Sequence, residues 1–235
     1  MGGMADIKKT LGTQAVDRFV RDGMRLGLGT GSTAIWAARR VAARITEGTL
    51  RDIRAVVTSL QTELEARELG IPIFTLNNAA IDCTLDLTID GADEIDPARN
   101  MIKGGGGALL REKIVAYVSR RLLIIAEASK LSARLCDHFA IPLEIVADAL
   151  APVSRRIREM GGEAAIRIAV RKAGPVVTDL GNLLLDVTFS DAFDPRRMED
   201  ELKLIPGVLE NGLFTKNTPE LLIGHSETNI EYRKL

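Results

Sequence analysis

Residues 24–36 read MRLGLGTGSTAIW, in which a short apolar segment leads into a glycine-rich turn and then into a second apolar segment. The first segment, 24–28, is typical of a short buried strand, and Ser32 or Thr33 has a side chain suited to cap a helix. The glycines between the segments allow a tight turn and a close approach of the backbone to a ligand. The stretch therefore predicts a strand–turn–helix unit.

Similar units follow along the first half of the chain. Strands are expected at 53–58 and 71–76, on either side of a helix at 63–69. This β-α-β-α-β order is typical of a parallel sheet covered by helices. Residues 85–90 alternate apolar and polar side chains, which indicates another strand. Beyond it, the apolar spacing predicts a helix at 108–121 and a buried strand at 122–126.

The order of the predicted elements changes in the second half. The expected elements there are, in chain order, a strand at 143–147, a helix at 152–160, strands at 164–170 and 183–189, and a helix at 195–204. This β-α-β-β-α order indicates a small α+β domain of the ferredoxin-like type. A last strand at 220–223 is expected to return to the first sheet. The predicted domains are therefore 1–130 together with 208–235, and 131–207.

Composition and charge exclude several classes of protein. The chain has 235 residues, 46% of them hydrophobic, and 31 Lys and Arg stand against 32 Asp and Glu, which gives a net charge of -1. These values exclude a disordered chain and any strong electrostatic case for a nucleic acid or an anionic membrane as partner. The first ten residues lack the apolar segment of a secretory signal, and Cys83 and Cys136 form no paired motif. We therefore expect a cytoplasmic protein.

The glycine-rich turn is a candidate phosphate site. Free N–H groups at the start of a helix, together with the Ser32 and Thr33 hydroxyls, favour an anion. A dinucleotide fingerprint fits poorly, because Ser32 occupies its sixth position and the next strand ends in Thr58-Ser59 rather than in an acidic residue. No Gly-Lys-Ser/Thr follows, as a P-loop would require. A phosphate grip without a nucleotide fits best, and a purely structural turn is the alternative.

An acidic segment, DGADE at 90–94, follows the alternating strand. In open α/β sheets, ligands bind in the crevice at the carboxyl ends of the strands. Asp90 and Asp93 are three residues apart on a turn, so both carboxylates can face one pocket and relay protons beside sugar hydroxyls. A Mg²⁺ site and a solvated acidic turn are the alternatives.

Four consecutive glycines, 104–107, lie between Lys103 and the next predicted helix. Ordering them carries a large entropic cost, which makes sense where the backbone must follow a small ligand closely. Lys103 can neutralise a developing oxyanion. Glu112, in the first turns of the helix, is a candidate general base, and an exposed glutamate that pairs within its helix is the alternative. Lys130, after the next strand, is a weaker candidate ligand.

Taken in order, the chain carries these motifs: GLGTGST (27–33), TSLQTE (58–63), IDGADEID (89–96), KGGGGALLREK (103–113), ASK (128–130), GPVVTDLGNLLLDV (174–187) and IPGVLENGLF (205–214). This combination resembles the ribose-5-phosphate isomerase A family. The resemblance implies an α/β fold with a Rossmann-like parallel-sheet domain and a smaller α+β domain. It also implies a homodimer or homotetramer that needs no cofactor and no metal.

The resemblance implies an activity and a set of site residues. The activity is the interconversion of D-ribose 5-phosphate and D-ribulose 5-phosphate in the non-oxidative pentose phosphate pathway. Glu112 would move the proton between C2 and C1, Asp90 would help to open the furanose ring, and Lys103 would stabilise the enediolate. The residues implied to bind the substrate are Thr30, Gly31, Ser32, Thr33, Asp90, Gly91, Ala92, Asp93, Lys103, Gly104, Gly105, Gly106 and Lys130. Lys8 is a further candidate for the phosphate.

Two other functions are alternatives at this point. A non-catalytic sugar-phosphate sensor could use the same phosphate grip, but it would have no need for Glu112 together with Lys103. A nicotinamide-dependent oxidoreductase could use a similar sheet, but Ser32 and the Thr58-Ser59 strand end argue against its fingerprint.

Overall fold

The computed structural model describes residues 4–234. The helices are α1 Met4–Phe19, α2 Ala34–Thr46, α3 Leu60–Glu68, α4 Leu109–Tyr117, α5 Leu150–Glu159 and α6 Pro195–Lys203. The strands are β1 Arg25–Leu28, β2 Arg54–Val57, β3 Leu87–Asp90, β4 Glu94–Ile95, β5 Met101–Ile102, β6 Leu122–Glu127, β7 Ile141–Ile145, β8 Gly162–Ile166, β9 Leu183–Phe189, β10 Val208–Asn211, β11 Leu213–Phe214, β12 Glu220–Gly224 and β13 Ile230–Arg233. None of the helices within 4–234 is long and apolar enough to cross a membrane.

The first of two compact units comprises Met1–Ala92, Arg111–Lys130 and Asn217–Leu235. Its six-stranded sheet has the order β13-β12-β6-β3-β1-β2, and all neighbours are parallel except β12 and β13. Since β12 includes the segment 220–223, the last predicted strand does return to the first sheet. Parallel strands need both faces covered, and the parallel strands of this sheet are accordingly almost continuous buried runs.

The core of the first unit forms where helices pack on this sheet. Leu26 of β1, Leu87 of β3 and Leu123 of β6 are fully buried in one apolar cluster. Leu11 of α1 and Val41 of α2 belong to the same cluster. The alternation of strands and helices predicted from apolar spacing thus produces the expected Rossmann-like layering.

The strand predicted at 71–76 in this unit does not form. The segment 71–76 forms only a single parallel bridge, between Ile73 and Ala55. Ala55 N donates to Pro72 O (3.0 Å), and Phe74 N donates to Ala55 O (2.8 Å). Pro72 has no N–H to give, which limits the pairing on its side. With this bridge counted beside β2, the parallel strands follow the 3-2-1-4-5-6 order of the doubly wound fold.

The second unit comprises Asp93–Leu110 and Leu131–Lys216. Its four-stranded sheet has the order β10-β7-β9-β8, and every pair is antiparallel. Helix α5 connects β7 to β8, with β9 inserted between them, and α6 connects β9 to β10 across β7. This interleaving is the split β-α-β arrangement of ferredoxin-like domains, as predicted.

A three-stranded sheet, β11-β5-β4, also belongs to the second unit. Leu213 of β11 pairs with Ile102 of β5, and both are fully buried in the cluster that includes Leu143 and Leu185. Segments 93–110 and 208–216 therefore belong to the second unit, whereas the sequence analysis assigned both segments to the first domain. The predicted domain boundaries stay a prediction. Residues 1–3 and 235, which belong to the predicted first domain, lie outside the described residues.

Candidate active site

The strand order of the first unit reverses between β1 and β3. At such a reversal the two following connections leave in opposite directions, which opens a crevice at the carboxyl ends of the strands. Gly29 and Thr30 follow β1, and Asp90 is the last residue of β3. The structure thus brings two of the predicted substrate-binding residues, Thr30 and Asp90, to the place where an open α/β sheet binds ligands.

Asp90 is fixed by backbone donors at this reversal. Its Oδ1 accepts hydrogen bonds from Thr30 N (3.1 Å) and Gly91 N (2.8 Å), and the residue is only 1% exposed. Gly29 makes the approach possible, because a Cβ at this position would lie 2.1 Å from Asp90 Oδ1. The glycine pattern that predicted a close backbone approach therefore serves a carboxylate of the protein itself.

A set of buried hydroxyls continues from Thr30. Thr30 Oγ1 lies 2.7 Å from Thr58 Oγ1 and 3.3 Å from Thr62 Oγ1. Thr62 Oγ1 donates to Gly29 O (3.0 Å), and Ser59 Oγ accepts from Thr62 N (3.1 Å) as the N-cap of α3. The Thr58-Ser59 strand end, which argued against a nucleotide site, thus holds the glycine-rich turn in place.

The start of α2 carries the predicted phosphate residues. Lys8 Nζ of α1 donates to Ser32 Oγ (2.8 Å) and lies 3.4 Å from Glu127 Oε1. Thr33 Oγ1 donates to Glu127 Oε2 (3.3 Å). An ammonium, two hydroxyls and the N-terminus of a helix therefore lie around the Glu127 carboxylate, and these donors are of the kind that bind a phosphate group.

Capping by the Thr33 hydroxyl, one of two options predicted for α2, does not occur. Thr33 is the N-cap residue, but its side chain makes no capping hydrogen bond. Its φ of -100° and ψ of -47° are helical rather than extended, and its hydroxyl bonds Glu127 instead. The positive φ of Gly31, +107°, makes the turn before it.

The glycine loop 104–107 lies in the second unit. Gly107 N donates to Gly104 O (2.9 Å), which closes a tight turn, and Gly104 has a φ of +99°. Gly105 N donates to Asp93 Oδ2 (2.7 Å), so the structure brings together two predicted residues twelve positions apart. A Cβ on Gly105 would lie 2.7 Å from Asp93 Oδ1. These contacts explain why glycine is required at 104 and 105.

Lys103 precedes this loop and is buried. Only 2% of the residue is exposed, and its Nζ lies 5.4 Å from the centre of the Phe214 ring. Lys103 N donates to Gly212 O (2.9 Å). Burial of an ammonium is costly unless it is paired or hydrogen-bonded, so Lys103 is unlike an ordinary surface lysine.

Glu112 lies in the first turn of α4 and is only 4% exposed. The alternative for this residue was an exposed glutamate paired within its helix, and its burial disagrees with that alternative. Lys130 is half-buried and ends a short 3-10 turn, Ala128–Lys130, directly after β6. No three His, Cys, Asp or Glu side chains within residues 4–234 are grouped so as to hold a metal ion.

Two residues that contact the predicted site were missed by the sequence analysis. Glu127 ends the buried strand β6 beside the phosphate residues, and its place as the last residue of that strand was a usable signal. Arg167 donates to the carbonyl oxygens of Gly104 and Gly105 (3.0 and 3.1 Å). No motif marks Arg167, because its contact with the loop spans more than sixty residues.

Comparison with known proteins decides the family. The model of the family described as ribose 5-phosphate isomerase A (phosphoriboisomerase A) matches residues 54–228. The chain belongs to this family. Ribose-5-phosphate isomerase A of Treponema denticola is 46% identical over 234 residues, which cover 97% of this chain and 98% of the relative.

Solved structures of the isomerase family share the whole fold. The ribose 5-phosphate isomerase A of Methanocaldococcus jannaschii superposes with a TM-score of 0.91 at 39% identity, covering 99% of this chain and 100% of that one. A D-ribose-5-phosphate isomerase in complex with phospho-erythronic acid gives a TM-score of 0.93 at 35% identity, with 98% and 99% covered. The family resemblance and the fold class inferred from sequence are therefore confirmed.

Proposed function

We propose that this member of the isomerase A family interconverts D-ribose 5-phosphate and D-ribulose 5-phosphate. The observation that carries the proposal is Glu112: a carboxylate buried in the first turn of α4, five residues after a four-glycine loop. An aldose–ketose isomerase needs such a base on a rigid element, shielded from bulk water.

The phosphate end of the sugar would bind at the start of α2. Lys8, Ser32 and Thr33 converge there, at 2.8 to 3.4 Å from one another or from Glu127. Binding a remote, unreactive group supplies free energy that positions the reacting carbons. Thr30 and Gly31 complete this turn.

The sugar hydroxyls would contact the acidic segment. Asp90 is oriented by two backbone N–H groups through Oδ1, and its position at the end of β3 suits proton relay during opening of the furanose ring. Asp93 accepts a backbone hydrogen bond at Oδ2, from Gly105 N. Gly91, Ala92 and Lys130 are proposed as further substrate contacts.

The chemical step would proceed through an enediolate. Glu112 takes the proton from C2 of the open aldose, the C–H electron pair forms the C1–C2 double bond, and O1 gains the negative charge. The proton then returns to C1 while the O2 hydroxyl proton moves to O1, which gives the ketose. Lys103 and the N–H groups of Gly104 and Gly106 are proposed to stabilise the charged oxygen, while Gly105 lines the reacting end with its own N–H bonded to Asp93 Oδ2.

The remaining expectations concern assembly, location and domain division. We propose a homodimer or homotetramer, a cytoplasmic location and catalytic and smaller domains divided near 130 and 208. Light scattering during gel filtration tests the assembly, and a mass equal to one 25.5 kDa chain would contradict it.

The activity is tested with D-ribose 5-phosphate alone, in the presence of EDTA and without any nucleotide. Formation of the ketose, followed by its absorbance or by proton NMR, is the expected result. Exchange of the C2 proton with deuterated solvent would show proton transfer rather than hydride transfer. Tight binding of the sugar phosphate without turnover would instead indicate a sensor, and turnover only with a nicotinamide cofactor would indicate an oxidoreductase.

A further inference from the structure

Arg167 follows strand β8 directly and reaches two sets of partners. Its Nε lies 2.9 Å from Asp186 Oδ2, and its Nη2 bonds Asp186 Oδ1, so the guanidinium and the carboxylate meet edge to edge. The two side chains are 16% and 30% exposed. Asp186 lies on β9, the neighbour of β8 in the sheet, and this pairing fixes the plane of the guanidinium.

The remaining nitrogen of Arg167 points at the glycine loop. Nη1 donates to Gly104 O (3.0 Å) and to Gly105 O (3.1 Å). Each carbonyl belongs to a planar trans peptide, in which the N–H of the next residue points in the opposite direction. By holding the two carbonyl oxygens, Arg167 therefore sets the direction of the N–H groups of Gly105 and Gly106.

The Gly105 N–H has the orientation that this peptide geometry requires. It points away from Arg167 and donates to Asp93 Oδ2 at 2.7 Å. Arg167 and Asp93 thus hold the same peptide group from its two ends. Glycine has access to more backbone conformations than other residues. Without these contacts, the glycines at 104–107 would therefore be free to leave the observed conformation.

We propose that Arg167 is a positioning residue of the isomerase: it fixes the peptide planes of the glycine loop so that the Gly106 N–H and the Asp93 carboxylate face the reacting end of the sugar. The inference rests on the proposed function, in which 103–106 line that end. Arginine suits this task better than lysine, because one planar group binds Asp186 and two carbonyl oxygens at once.

The kinetic test compares Arg167→Met and Arg167→Lys with a matched control, Arg171→Met, an exposed arginine on the same segment. We expect Arg167→Met to lower kcat by about 10- to 100-fold, because a misplacement of about 1 Å has effects of this size. KM should change by less than about threefold, since the groups that Arg167 bonds are Asp186 and two loop carbonyls rather than the proposed phosphate contacts. Lysine should restore only part of kcat, and Arg171→Met should match the parent.

A second measurement reads the loop without using activity. Amide hydrogen exchange of a peptide covering 103–108 should be faster in Arg167→Met than in the parent and in Arg171→Met. Addition of guanidinium chloride at non-denaturing concentration to an Arg167→Ala variant should raise kcat and slow this exchange, whereas the same concentration of sodium chloride should not.

The outcomes separate this proposal from the proposed function. A parent-like kcat in Arg167→Met, or unchanged exchange of the loop, overturns the role of Arg167. A fall in kcat that Arg171→Met shares also overturns it. If the parent itself has no isomerase activity, the proposed function fails, and the Arg167 proposal as an isomerase device fails with it even where exchange shows that Arg167 orders the loop.

Discussion

At the scale of single residues, the buried carboxylate of Glu112 is the most demanding feature of the proposed mechanism. A carboxylate is rarely buried unless its hydrogen bonds or its chemistry require it. Glu112 is 4% exposed and lies in the first turn of α4, where the helix N-terminus favours a negative charge. These two properties suit a group that must accept a proton and then give it back.

Replacing this carboxylate by an amide removes the base and keeps the shape. We expect Glu112→Gln to lower kcat by about 10²- to 10⁴-fold, the usual contribution of a general base. Binding of the sugar phosphate, measured by calorimetry, should stay within a few-fold of the parent. Glu68→Gln, on the exposed end of α3, is the matched control. A Glu112→Gln variant as active as the parent would remove Glu112 from the mechanism.

The sequence analysis found some residues of the candidate site and missed others, and the difference has a physical reason. Asp90 and Gly29 come from motifs, and the structure shows that the glycine makes room for the carboxylate. Glu112 follows a glycine run, but its burial depends on packing that local sequence does not report. Arg167 acts through contacts between distant segments, which no spacing rule encodes, whereas Glu127 could have been found as the last residue of its buried strand. The roles of the predicted site residues stay predictions.

At the scale of elements, the N-terminus of α2 and the side chain of Lys8 from α1 form one donor group. Lys8→Met and Ser32→Ala should each raise KM for D-ribose 5-phosphate by about 10- to 100-fold, because a hydrogen bond to a charged group contributes about 1.5–3 kcal/mol. The effect on kcat should be smaller. Lys9→Met, the neighbouring exposed lysine near Trp36, is the control. An unchanged KM in Lys8→Met would mean that the phosphate binds elsewhere.

The edge of the parallel sheet gives a prediction about pH. Arg121 donates to both oxygens of Glu220 (2.8 and 3.0 Å), and Tyr232 OH donates to Oε2, so these contacts lower the pKa of Glu220 although its burial opposes them. A carboxyl with a lowered folded pKa stabilises the fold above its unfolded pKa of about 4.3 and loses that contribution as pH falls through the folded pKa.

Glu220→Gln should therefore destabilise the chain at pH 7 by about 1–2 kcal/mol, since it removes a charge and an acceptor from part-buried hydrogen bonds. The difference from the parent, measured by urea unfolding, should shrink as the pH is lowered below about 4. Glu159→Gln, in an exposed pair with Arg155 on α5, should change stability much less. A difference that stays constant down to pH 3 would contradict the role of the charge.

Elements were predicted best where local sequence decides them. Strand β9 was predicted at 183–189 and is observed at Leu183–Phe189, because apolar and polar residues alternate from Leu185 to Phe189. The strand predicted at 71–76 is a single bridge at Ile73, since Pro72 removes a donor beside it. Strands β4, β5 and β11, of two residues each, are too short for any periodicity to mark them.

At the scale of the whole molecule, long-range pairing divides the chain in a way that sequence order hides. The chain passes between the two units after Ala92, Leu110, Lys130 and Lys216. The segment 93–110 joins the second unit because β5 pairs with β11, more than a hundred residues later. Sequence reasoning assigned this segment to the domain of its chain neighbours, which is the natural choice when only local patterns are visible.

The whole chain should also respond to a ligand of the proposed site. A ligand that binds only the folded state stabilises it by about 2.7 kcal/mol at a concentration 100 times its Kd. For a chain of this length, that corresponds to a rise in Tm of roughly 5–10 °C. Phospho-erythronic acid, which is bound in a similar solved structure, carries a phosphate and a carboxylate that resembles the enediolate, and it is the probe of choice.

Differential scanning fluorimetry separates the contributions to this shift. Erythronic acid without phosphate should give a much smaller rise at the same concentration, because it cannot use Lys8 and Ser32. Lys8→Met should lower the rise with the phosphorylated acid, whereas Glu112→Gln should largely keep it, since the amide still fits beside the bound acid. Equal shifts from both acids in the parent would show that phosphate recognition contributes nothing to binding, and the site at the start of α2 would have to be abandoned.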